Sequence, residues 1–250
     1  MEKSISIMVN RIAGILKGVN PSIFLFGSAV LDDFKLGWSD IDIICLTEKT
    51  MQKSQAEELV SLRQALMLEH PGNPYFRLFE GGMLALNAFL HNANDTVVYW
   101  GTSGQRITNS YNLCPFGKIE LLESGRKLYG DDFRHMLPYP TRAEIIEAIK
   151  SHYRTIRQHG KSGVGFLLDT ARCVYTLRAN KVIAKTKAGE WAIAENICPD
   201  VSVMRKALEI RNNPLELLNN ENTKQWQGTL EPHIQKFADV LEDELRMHVV

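Results

Sequence analysis

Apolar side chains at Ile5, Met8, Val9, Ile12 and Leu16 recur at helical spacing and predict an opening amphipathic helix, stopped at Asn20-Pro21. "SIFLFGS" then reads as a short apolar strand that runs into a turn, and "SDIDIICL" as a second strand. The short stretch between them, residues 31–38, is predicted to be a loop. Leu59, Leu62 and Leu66 form the apolar stripe of a helix over residues 54–68. "HPGNP" is a cluster of turn formers. "YFRLFEGGMLALNAFL" is strand-like, with Gly81-Gly82 marking a bulge or a close backbone approach, and "DTVVYW" predicts another strand.

The pattern changes at "LPYP", residues 137–140, where two prolines make a hinge. Beyond it the periodicity is helical throughout. Thr141 followed by Glu144 matches a capping box. Phe166, Leu167, Ala171, Val174 and Leu177 mark one helix, and Trp226, Leu230, Ile234, Phe237, Leu241 and Leu245 mark the last. The chain therefore divides into an N-terminal domain of strands and helices, residues 1–137, and a C-terminal helical bundle, residues 138–250.

Composition narrows the function classes. The sequence is 44% hydrophobic and 23% charged, ordinary for a soluble globular protein. Lysine plus arginine equals aspartate plus glutamate, 29 each, which argues against a chain built to coat nucleic acid. No apolar run approaches the roughly 20 residues of a membrane span. The opening stretch reads as a helix rather than a secretion signal. Cys45, Cys114, Cys173 and Cys198 lack a C-x-x-C pair and read as buried, reduced thiols of a cytoplasmic protein. His152 and His159, one heptad apart, read as surface residues.

The chemistry lies in "FGSAVLDDFKLGWSDIDIICL". Asp40 and Asp42 stand two residues apart on one strand and share a face. Two such carboxylates repel each other unless a cation sits between them. Magnesium takes one or two protein carboxylates together with phosphate oxygens, which is the demand of phosphoryl and nucleotidyl transfer. Gly27-Ser28 fits the same chemistry: glycine admits a close phosphate, and successive N–H groups with a hydroxyl form an anion-binding concavity. Either signal alone is weak. The order of turn and strand, with residues 29–39 between Ser28 and Asp40, makes the combination specific.

This stretch resembles the signature of the DNA polymerase β-like nucleotidyltransferase superfamily. Within it, "GSAV" followed by "SDID" is most similar to the streptomycin/spectinomycin-type antibiotic adenylyltransferases. The resemblance implies an α+β fold: a mixed-sheet nucleotidyltransferase domain followed by an α-helical bundle. It implies Mg2+ as cofactor, ATP as nucleotide substrate and a small hydroxylated acceptor as partner, in a cytoplasmic monomer or dimer. It also implies a third acid on a later strand, serving as metal ligand or general base. Glu80 is the candidate, with Asn87 as the alternative if the strand runs through "MLALNAFL". In "DTARCVYTLRANKVIAKTKAGEW", Arg172 and Lys185 match an arginine and a lysine that in the family reach the nucleotide's phosphates; the alternative for each is a solvated helix charge.

The acceptor is less legible. "QHGKSGVG" carries Lys161 and no acid where the streptomycin/spectinomycin type places acidic partners for a cationic drug. Asp169 falls further along, in the helix, and reads as solvent-facing. Lincosamides or other hydroxylated metabolites are acceptors on an equal footing. Tyr99 and Trp100 are placed to stack on a ligand, and Thr102, Ser103 and Arg106 to hydrogen-bond it. Two other classes compete. A protein-modifying transferase of toxin–antitoxin type is disfavoured by the helical half, and a non-catalytic nucleotide sensor by the intact Gly27, Ser28, Asp40 and Asp42.

Overall fold

The computed structural model describes residues 1–101 and 104–248; Thr102 and Ser103, named above as ligand contacts, lie outside them. The chain forms two compact units. One comprises Met1–Val30 and Asp40–Tyr139, the other Leu31–Ser39 and Pro140–Val250. The fold is α+β.

The first unit is built on a six-stranded mixed sheet. Helix α1 (Glu2–Ile15) leads into β1 (Pro21–Phe26), and β2 (Ile41–Thr47) is followed by α2 (Lys53–Glu69). β3 (Phe79–Ala85), the short helix α3 (Leu86–His91), β4 (Val97–Gly101), β5 (Gly104–Thr108), α4 (Pro115–Glu123) and β6 (Arg126–Tyr129) complete it. The order across the sheet is β5-β4-β3-β2-β1-β6. β2 and β3 run parallel, joined by the α2 crossover, and the other neighbours are antiparallel. α2 packs on β4 and β5 and against α1. There Trp100, fully buried, donates its indole N–H to the Leu59 carbonyl at 3.1 Å. It belongs to the core and is not available to stack on a ligand.

The other face carries a second apolar cluster of Phe24, Phe26, Ile44, Leu46, Leu84, Phe89, Val97 and Leu121. Alternation along the strands puts Asp42 on the face of Ile44 and Leu46, and Glu80 on the face of Leu84. That face is therefore apolar at one end and acidic at the other. The expected strand through "MLALNAFL" ends at Ala85, whose N–H is taken by Asp95 Oδ2 at 2.8 Å, and the leucine- and alanine-rich run beyond it turns helical. Asn87 lies exposed on that helix.

The second unit is helical: α5 (Arg142–His159), α6 (Gly165–Ala179), α7 (Lys185–Ala194), α8 (Val201–Asn212), α9 (Pro214–Leu217), α10 (Glu221–Gln227) and α11 (Glu231–His248). The capping box is present: Thr141 Oγ1 accepts from the Glu144 N–H at 3.2 Å, and Glu144 Oε2 accepts from the Thr141 N–H at 2.7 Å. Helices α5, α6 and α11 share an apolar core that includes Ile149, Val174, Phe237 and Leu241. At its border, Tyr153 and Arg157 of α5 bind Glu242 and Asp239 of α11, and Arg178 of α6 binds Glu244. Trp226 does not continue the last helix, because the helix ends before Gly228 and a new one starts at Glu231 while the apolar spacing is kept. Cys45, Cys173 and Cys198 are buried free thiols. Cys114 is exposed, contrary to expectation, because its sulfur accepts from the Gly117 N–H at the start of α4. Among the described residues no helix is long and apolar enough to cross a membrane.

Candidate active site

β1 ends in a sharp turn because Gly27 takes φ +70°, a left-handed conformation that L side chains resist. Residues 27–29 then form one tight turn, closed by the Val30 N–H on the Gly27 carbonyl at 3.2 Å. A side chain at residue 27 would collide with Asp42 Oδ2. The glycine thus brings the turn that carries Ser28 directly against the Asp42 carboxylate. Phe26 faces Asp42 in the β1–β2 register, which fixes the approach.

Across the parallel pair, Asp42 stands opposite Glu80. Facing residues of paired strands share a face, so the two carboxylates are neighbours by construction. Glu80 also meets Asp40, and the side chains of Asp40 and Glu80 hydrogen-bond each other. Burial and then the Asp40 charge drive the Glu80 carboxyl above the ordinary range; the Tyr99 hydroxyl, donating to Glu80 Oε1 at 3.2 Å, and Arg63 oppose the rise. Arg63, on α2, donates to the Phe79 carbonyl at 2.8 Å and so pins the start of β3.

The glycine pair has a definite use. Gly81, at φ +144°, lies so close to the Ile43 carbonyl that no side chain fits, and a side chain at Gly82 would enter the Tyr111 ring. Tyr111 therefore lies over β3, 6.1 Å from the Tyr99 ring between centroids. Its hydroxyl is held protonated well above the ordinary tyrosine range, first by burial and further by Cys114 and Asp42. Arg106 of β5 covers the Tyr99 ring at 4.6 Å. Sequence reasoning named Tyr99 and Arg106 but missed Tyr111; the Gly81-Gly82 pair, which marked a close approach, was the available sign.

The donor set fits a magnesium ion. Among the described residues no group of three or more histidine, cysteine, aspartate and glutamate side chains forms a metal cage by itself. Magnesium does not require one, since it is held by one or two carboxylates with waters and substrate phosphates. Two facing carboxylates with a third against one of them, and a raised carboxyl that a cation would relieve, supply what such an ion needs.

Arg172 and Lys185 belong to the second unit. Lys185 is the first residue of α7, with its Nζ 2.9 Å from Asp169 Oδ1, and Arg172 Nη2 lies 3.8 Å from the same oxygen. Asp169 is thus no solvent-facing charge. Burial drives its carboxyl up, but Lys185 and Arg172 outweigh burial and hold it below the ordinary range. His152, expected on the surface, is half-buried beside them. Burial lowers its pKa and Arg172 and Lys185 lower it further, against Asp169. These four groups form one charged cluster on α5, α6 and α7.

Comparison with known proteins adds the following. Residues 9–71 match the nucleotidyltransferase domain family, and residues 136–244 match the aminoglycoside adenylyltransferase C-terminal domain family. The chain is similar in structure to the spectinomycin adenyltransferase AAD(9) from Enterococcus faecialis, solved with ATP and spectinomycin. The TM-score is 0.67 at 17% identity, covering 97% of this chain and 99% of that one, a likeness of fold. A mutant of the toxin–antitoxin complex MntA-HpeT aligns over 60% of this chain and 91% of its own at 14% identity and a TM-score of 0.28, too slight to bear on function. No curated protein matches the chain significantly.

Proposed function

We propose, from the premise that this chain is a nucleotidyltransferase related to the aminoglycoside adenylyltransferases, that it transfers AMP from ATP to a hydroxyl group of a small molecule. The observation that carries the reading is the register of β2 and β3. It sets Asp42 opposite Glu80, with Asp40 against Glu80 and the Gly27-Ser28 turn against Asp42. Asp40 and Asp42, with Glu80, are the residues that would hold Mg2+, and the ion would neutralise phosphate charge as the nucleotide reacts. The Ser28 hydroxyl and the N–H groups of its turn bind the β- and γ-phosphates. Glu80, set beside Asp40 and held by the Tyr99 hydroxyl, is the group placed to take the proton of the acceptor hydroxyl. Arg172 and Lys185 supply positive charge to the phosphates.

The acceptor proposed first is an aminoglycoside-type antibiotic, because the helical unit matches the C-terminal domain of the drug-modifying enzymes. Incubation with α-labelled ATP, magnesium and a panel of aminoglycosides, spectinomycin, lincosamides and hydroxylated metabolites tests this. Label should move to one class of acceptor with release of unlabelled pyrophosphate. Label that moves only to protein would favour a protein-modifying transferase instead.

A further inference from the structure

The chain between the Gly27-Ser28 turn and Asp40 groups apart from its sequence neighbours on either side. Leu31–Ser39 belongs to the helical unit. What holds it there is a buried polar ring. Arg211 of α8, 2% exposed, donates through Nη2 to Asp33 Oδ2 at 2.6 Å and to the Asp33 carbonyl at 3.4 Å. Its Nε donates to Thr186 Oγ1 at 3.0 Å, and Thr186 Oγ1 donates to Asp33 Oδ1 at 2.5 Å. The Thr186 N–H adds a fourth contact to Asp33 Oδ2 at 3.3 Å. Trp38 lies 5.4 Å from the Arg211 guanidinium, and Gly37 seats against Leu215.

Thr186 is the second residue of α7, and α7 has no side-chain cap of its own, since Ala184 occupies the capping position. The first N–H groups of a helix need an acceptor, and a carboxylate there also meets the favourable end of the helix dipole. Asp33 fills that role from a distant part of the sequence. Apolar residues of similar size in place of a buried pair of this kind cost a fold little stability, so the ring can be removed without unfolding the chain. We propose that Asp33 is a positioning residue for nucleotide binding: it caps α7 and thereby fixes Lys185, the residue that opens the helix. The proposal rests on the reading of Lys185 as a phosphate contact. The cap comes from the short segment of the helical unit that lies in sequence between the Gly27-Ser28 turn and Asp40.

A double-mutant cycle read by calorimetry with a non-hydrolysable ATP analogue and magnesium tests this. Lys185→Ala should weaken binding by roughly 10- to 100-fold, the loss of one charge-assisted contact. Asp33→Asn should weaken it by roughly 5- to 10-fold in the native background, and by less than about 2-fold once Lys185 is alanine, because the cap then has nothing to position. Asp33→Asn leaves Arg211 buried without its charge partner. Asp33→Leu with Arg211→Met replaces both charges by apolar side chains, so it should lose only the α7 cap, melt slightly below the unmodified protein and show the same weakened binding. Asp33 variants that multiply with Lys185→Ala, or that melt normally and bind normally, would overturn the positioning role. Unchanged affinity in Lys185→Ala alone would remove the phosphate role of Lys185 and the proposal with it, a failure distinguishable from the first.

Discussion

Gly27→Ala separates two consequences that the turn combines. The first is backbone strain: an alanine at φ +70° costs about 1–2 kcal/mol. For a chain of this size each kcal/mol lowers the melting temperature by roughly 2–4 °C, so the expected loss is about 2–8 °C. The second is steric. The new methyl falls inside van der Waals contact with Asp42 Oδ2, whose own chain is fixed in β2, so the carboxylate must retreat by about 1 Å. A displacement of that size at a reacting centre costs on the order of 100-fold in rate. Gly163→Ala is the control. Its φ is +94°, but no atom lies within 4 Å of the added methyl. Both variants should melt lower by comparable amounts, and only Gly27→Ala should lose turnover. Thermal melts and initial rates with α-labelled ATP at saturating magnesium give the comparison. A Gly27→Ala enzyme as active as Gly163→Ala, at equal loss of melting temperature, would refute the contact with Asp42 as a feature of the site.

Two further outcomes are expected. Ser28→Ala should weaken binding of the ATP analogue by calorimetry while leaving acceptor affinity unchanged if its hydroxyl serves the triphosphate as proposed; unaltered nucleotide affinity would reduce residues 27–29 to a mere turn. Glu80 is raised on folding, so its contribution to the stability of the metal-free protein is present in acid, below the ordinary value of 4.5, and is lost as pH rises through its folded value. Glu80→Gln should therefore raise the melting temperature of the metal-free protein at neutral pH, lose that advantage in acid, and lower turnover by roughly 100- to 10,000-fold. A melting difference that does not change with pH would contradict the crowding of Glu80 by Asp40.

The acidic strand and its preceding turn were legible because they are local. Two carboxylates at i and i+2 and a glycine-serine turn carry their meaning within a few residues. The start of β3 at Phe79 put Glu80 opposite Asp42, but no local pattern distinguished that register from a strand through Asn87; the α2 crossover and the Asp95 side chain on the Ala85 N–H decide it. Asp33, by contrast, sits in a short loop where an aspartate is unremarkable. Its partners Thr186 and Arg211 are far along the chain, and nothing in the sequence around Arg211 marks it as buried. Asp169 was misread as solvent-facing for the same reason: its partner Lys185 lies on another helix. Periodicity likewise ran through Gly228 because the break between the two helices preserves the apolar spacing of Trp226, Leu230 and Ile234.

The central claim is that Asp40 and Asp42 hold the magnesium through which ATP is used. Transfer of label from α-labelled ATP to an acceptor, measured for the unmodified protein, Asp40→Asn and Asp42→Asn across a magnesium titration, tests it most directly. The unmodified protein should transfer AMP only with magnesium present. Both variants should show no measurable transfer at any magnesium concentration, while melting at or above the temperature of the unmodified metal-free protein, since each removes a repelling charge. Near-normal turnover by Asp42→Asn, or transfer by the unmodified protein that does not depend on magnesium, would contradict the account.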